Sequence, residues 1–136
     1  MDNKTFDTSL DGAHALIDSV LRSKGDEYTS GGDRLSQFKT AAKLQNITVK
    51  EALAGMMVKH TTSIYDMIGD GREHSKEKWD EKIIDHINYL ILLRAIVEEE
   101  KDRELSSGVN TRLPDNPEQG TIDEARERVH ALLKGE

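Results

Sequence analysis

No cysteine occurs in the chain. Its absence excludes disulfides, thiolate zinc sites and a cysteine nucleophile, and fits a reducing cytoplasm. Aromatic residues are scarce: two Phe, three Tyr and one Trp, so a core must be built from aliphatic side chains and Met. Clusters of Lys and Arg are missing as well. With a net charge of -7, that argues against direct nucleic-acid binding, because phosphate backbones are gripped by grouped cations. A small anionic ligand is not excluded, since a few local cations or a metal ion can hold one on an acidic protein. No apolar run is long enough to span a bilayer, and the opening MDNKTFDTSL lacks a charged-then-apolar leader. A cytoplasmic protein without membrane contact is expected.

What the chain does carry is helical periodicity. Leu10, Ala13, Leu16, Ile17, Val20 and Leu21 recur at three- and four-residue spacing and predict a first helix over about Ser9 to Lys24, after a frayed start over residues 1 to 8. KGDEYTSGGD then reads as a loop, with Asp33 able to cap a second helix from Arg34 to about Gln45. Thr48 and Glu51 form a T-x-x-E capping box that starts a third helix, running to about Ile68 and stopped by Gly69 and Gly71. Ser75 caps a fourth, reaching about Arg103. Both prolines, Pro114 and Pro117, fall in the following polar stretch, which reads as a linker. A second T-x-x-E box at Thr121 and Glu124 opens a C-terminal amphipathic helix with Ile122, Ala125, Val129, Leu132 and Leu133 on one stripe. The expected fold is therefore all-α: a four-helix bundle over residues 1–104, a linker over 105–120 and an appended helix over 121–136. That last stripe can dock on its own bundle or on a neighbouring subunit.

The fourth helix organises the rest. At about 100° per residue, Trp79, Ile83, Ile87, Leu90 and Val97 share one side, and Glu81, Asp85 and Asn88 share the opposite one. Leu92, Ala95 and Ile96 continue the acidic stripe, so the second half is apolar nearly all round and is expected to be packed on every side. Glu81 and Asp85, one turn apart, can offer two oxygen ligands to a hard cation such as Mg²⁺, and Asn88 adds an amide. A plain solvated acidic face explains the same spacing.

On the third helix Lys59, Ser63 and Asp66 form a polar stripe that can face this one: Lys59 to neutralise phosphate charge, Asp66 as a third metal ligand. A half-exposed stripe with local contacts is the simpler alternative. His60, between Met56 and Met67, reads as a hydrogen-bonded core residue, and His130 as a surface one. Tyr28, Arg34 and Lys39 surround a Gly-Gly turn leading into a helix, a setting that favours anions, although a turn plus cap accounts for it equally. No Ser/His/Asp triad and no metal-binding histidine spacing occur.

Tyr28, RLSQFK at 34 to 39, KHTTSIYDM at 59 to 67 and DEKIIDHINYLILL at 80 to 93 resemble the phage and prophage nucleotide modification associated helical domain. That domain itself looks like an outlier of the MazG-like all-α nucleotide pyrophosphohydrolases. The similarity spans about residues 23 to 97. It implies a helical bundle, a role in phage deoxynucleotide metabolism and, by analogy with active MazG-like enzymes, Mg²⁺-dependent cleavage of a nucleoside triphosphate. Glu81 and Asp85 would map onto the second acidic pair of those enzymes. Their first pair, an E-x-x-E on the preceding helix, is replaced by Lys59, Ser63 and Asp66. The resemblance also implies a homo-oligomer, since such relatives often build sites between subunits.

Three functions follow as expectations. In an enzyme, Glu81, Asp85 and Asp66 hold Mg²⁺, Lys59 neutralises phosphate, Arg34 and Lys39 add anion contacts, and Tyr28 or Asn88 touches the base. In a non-catalytic nucleotide-binding module the same cleft senses or sequesters a nucleotide, and the missing carboxylates favour it. In an interaction protein the polar residues are a buried network and the last helix mediates assembly.

Overall fold

The computed structural model describes residues 1–28 and 31–108, without the side chains of 26–28. Four helices follow in order: α1 (Asn3–Tyr28), α2 (Ser36–Gln45), α3 (Val49–Gly69) and α4 (Lys76–Ser106). The chain is all-α, and none of these helices is long and apolar enough to cross a membrane. It divides into two compact units, Met1–Arg103 and Glu104–Glu136. Of the second, only residues 104–108 are described; the expected linker beyond them and the C-terminal helix at 121–136 lie outside.

α1 corrects the sequence reading at both ends. Residues 1 to 8 are helical from Asn3, because Asp2 caps the first turn: its carboxylate accepts the Thr5 N–H at 2.7 Å and its carbonyl accepts that of Phe6 at 3.0 Å. At the other end the helix runs through KGDEY instead of breaking at Gly25. Gly25 is buried there, and a Cβ at that position would collide with the Arg34 guanidinium. Arg34 lies over the bare backbone and donates to the Leu21 carbonyl. The glycine therefore makes room inside a helix, where composition alone suggests a break.

The chain then reverses through Gly31 and Gly32, both at positive φ (64° and 79°). Asp33 accepts the Leu35 N–H at 2.9 Å and, through its carbonyl, that of Ser36 at 3.2 Å, so α2 begins at Ser36, two residues later than the spacing predicts. α2 ends at Asn46 in the left-handed conformation, with the Ile47 N–H reaching back to the Ala42 carbonyl at 3.0 Å. Thr48 follows at once. Its hydroxyl accepts the Glu51 N–H at 3.1 Å while the Glu51 carboxylate accepts the Thr48 N–H at 2.8 Å, so the capping box is complete. Ser75 accepts the Lys78 N–H at 3.2 Å and starts α4 as expected.

Leu35, Phe38, Leu53 and Ile96 form the core, with Val49, Met56, Met57, Tyr89, Leu92, Leu93 and Ala95 packed around them. Charged links tie the helices above it: Lys24 to Asp85 at 3.1 Å, Lys39 to Glu99 at 2.6 Å and Lys50 to Glu100 at 2.8 Å. These links turn the Asp85 side of α4 inward. Its buried line is Ile84, Asn88 and Ile96, whereas Ile83 and Leu90, expected on the packed side, are 41% and 48% exposed. α4 is thus not packed on every side by the other described helices. Three other helices cover only part of its circumference, and they cover the polar stripe and its apolar continuation. α1 shows a similar departure, with Leu10 and Leu16 largely exposed rather than inward.

Candidate functional site: a cationic cleft around Asn88

The inward turn of α4 opens a cleft of about 330 Å³. Asp85, Asn88, Tyr89 and Leu92 line one wall, at the spacing that puts helix residues on a single face. α1 contributes Val20, Leu21 and Lys24; α2 and the turn before it contribute Arg34, Gln37 and Phe38; α3 contributes Lys59 and His60. Every helix thus supplies a residue.

Charge is unevenly distributed. Among the described residues the lining holds three fixed cations, Lys24, Arg34 and Lys59, against the single carboxylate of Asp85, on a chain whose net charge is -7. Lys24 is already partnered by Asp85 at 3.1 Å. Lys59 makes no ion pair among the described residues. A group of cations in a partly enclosed cleft focuses field on whatever anion enters it.

Asn88 is the only polar residue buried as a whole among the described residues, 6% exposed, and its Oδ1 has no hydrogen-bond partner. A buried acceptor left unpaired costs about 1–3 kcal/mol, so this position asks for an N–H or O–H donor. Beside it lies a ring cluster. Tyr89 meets His60 with centroids 4.8 Å apart and Phe38 edge-on at 6.2 Å. Burial pushes the His60 imidazole below its ordinary value, Lys59, Lys82 and His86 act in the same direction, and Asp85 opposes them. His60 therefore favours the neutral form, able to donate from one ring nitrogen and accept at the other.

The structure gathers Arg34, Lys59, Asp85 and Asn88 in this cleft and leaves the other sequence candidates elsewhere. Lys39 is held between Asp33 at 2.7 Å and Glu99 at 2.6 Å, and these two hydrogen bonds raise its pKa. Glu81 is exposed, pairs with Lys82 at 3.0 Å and lines a neighbouring groove. Ser63 is half-buried and Asp66 exposed, neither lining the cleft. The Tyr28 side chain lies outside the description. The cleft also contains residues the sequence reading missed or placed otherwise. Lys24, Gln37 and Tyr89 were not singled out, and His60 is a cleft residue instead of an isolated core one. Lys24 carried a signal: it follows Val20 and Leu21 by one turn, at the end of the α1 stripe.

Among the described residues no three His, Asp or Glu side chains gather into a metal site, so Glu81, Asp85 and Asp66 are not brought together. The one carboxylate among the described lining residues, Asp85, is paired with Lys24. What the arrangement can do is hold a small anion, satisfy Asn88 and pack a flat ring against apolar and aromatic side chains. Comparison with known protein families, curated proteins and solved structures finds no match to this chain.

Proposed function

We propose that the chain is a nucleotide-binding module, with the cleft around Asn88 as its site. The observation that carries this reading is a cleft that Lys24, Arg34 and Lys59 line together with Asn88, whose carboxamide oxygen is buried and unpartnered. The cations take the phosphate, Asn88 takes a donor of the base or sugar, and the His60, Tyr89 and Phe38 rings bound the space for the base. The resemblance of residues 23 to 97 to the phage nucleotide modification associated domain supports the same ligand class and a place in phage deoxynucleotide metabolism.

A second reading, a Mg²⁺-dependent nucleoside triphosphate pyrophosphohydrolase of MazG-like type, is favoured by the E-x-x-x-D spacing of Glu81 and Asp85. Among the described residues no three His, Asp or Glu side chains gather to hold that metal. Homo-oligomerisation is part of the proposal, supported by the apolar residues that α4 and α1 leave exposed. Incubation with the four deoxynucleoside triphosphates and Mg²⁺, read by pyrophosphate release and thermal shift, separates the functions. A shift without turnover is the expected result. Turnover that disappears in Glu81→Ala would establish the enzyme, and the absence of any shift or turnover would leave an interaction protein.

A further inference from the structure

Resting on the nucleotide reading, we infer that the cleft is built for a nucleoside monophosphate and selects against the triphosphate. Charge is the first argument. Asp85 compensates Lys24 at 3.1 Å, which leaves Arg34 and Lys59 as the net positive charge of the described lining. A phosphomonoester carries about -1.5 to -2 at neutral pH and balances those two cations. A triphosphate adds further negative charge, which proteins ordinarily meet with a divalent cation held by carboxylates. No such group of ligands exists among the described residues.

The surroundings give the second argument. The cleft shares Val20, Lys24 and Asp85 with an adjoining groove lined by Glu77, Asp80 and Glu81; Lys76 holds Asp80 and Lys82 holds Glu81 at 3.0 Å, which leaves Glu77 as the carboxylate without an ion pair among the described residues there. A phosphate chain extended past Lys24 towards this groove meets Glu77, and like charges repel. Size agrees, since about 330 Å³ is at the small end for a ligand pocket. The unpartnered Oδ1 of Asn88 supplies an independent demand for a donor, which a nucleobase N–H or sugar hydroxyl meets.

Calorimetric titration of the full chain with each deoxynucleoside monophosphate, its triphosphate with and without Mg²⁺, and inorganic phosphate tests the inference. At least one monophosphate should bind about tenfold or more tightly than its triphosphate, whether or not Mg²⁺ is present, and more tightly than inorganic phosphate. Lys59→Gln should weaken it by about 10- to 100-fold. Glu77→Gln, which removes the carboxylate without an ion pair, should raise triphosphate affinity severalfold and leave the monophosphate unchanged. A triphosphate that binds as tightly as its monophosphate, alone or with Mg²⁺, would overturn the selection while leaving the nucleotide reading intact. Inorganic phosphate binding as tightly as every monophosphate would remove the role of Asn88. No binding by either nucleotide class would sink both.

Discussion

Asn88 concentrates the tension between stability and function. Its Oδ1 is buried without a partner, a state folding alone does not favour. Asn88→Leu, close in shape and free of the orphan acceptor, should stabilise the unliganded protein by about 1 kcal/mol in urea unfolding while weakening nucleotide binding tenfold or more. A loss of stability instead would mean that the carboxamide is satisfied within the fold. His60 gives a pH signature. Its folded pKa is depressed by burial, so as pH falls the unfolded chain takes up a proton first. The stability it contributes is present above the unfolded value, about 6.5, and is lost as pH falls from there towards the folded value. His60→Gln should flatten the melting temperature against pH over that acid window. Arg34, Lys59, Asp85 and Asn88 were legible as candidates because helical spacing and chemistry single them out. That His60 borders a cleft was not, since one sequence cannot tell a half-buried histidine from a core one.

At the level of elements, local signals read well and boundaries without them did not. The T-x-x-E box at Thr48 and the Ser75 cap form as the sequence predicts, because both depend on atoms within one turn. Thr48→Ala should cost about 1 kcal/mol by thermal or urea unfolding, with no change in affinity, since Thr48 does not line the cleft. The end of α1 was misread for a physical reason: Gly25 answers to Arg34, nine positions later, and no local pattern reveals that contact. Gly25→Ala therefore has opposing effects. In an Arg34→Ala background the steric conflict is gone, and Gly25→Ala should stabilise by about 0.5–1 kcal/mol, the usual gain from removing a helical glycine. With Arg34 present the gain should shrink or reverse and nucleotide affinity should fall. Additive effects in this double-mutant cycle would show that Arg34 does not rest on Gly25.

Across the molecule, the inward side of α4 was the hardest feature to anticipate. Its Trp79, Ile83 and Leu90 side is the more apolar by pattern, yet the covered line runs through Ile84, Asn88 and Ile96. Periodicity identifies the faces of a helix; it does not say which face its own chain covers when both carry apolar residues. The all-α class was readable because every expected apolar stripe within residues 1–108 has a helical period. The site depends on long-range packing that brings cations from α1, the α2 turn and α3 to one place, against the acidic average of the chain. Backbone amide NMR during titration with a deoxynucleoside monophosphate tests that site most directly. Saturable shifts centred on Lys24, Arg34, Lys59, Asn88 and Tyr89, lost or strongly weakened in Lys59→Gln, are the expected result. Shifts confined to other surfaces, or none at millimolar nucleotide, would contradict the assignment of this cleft.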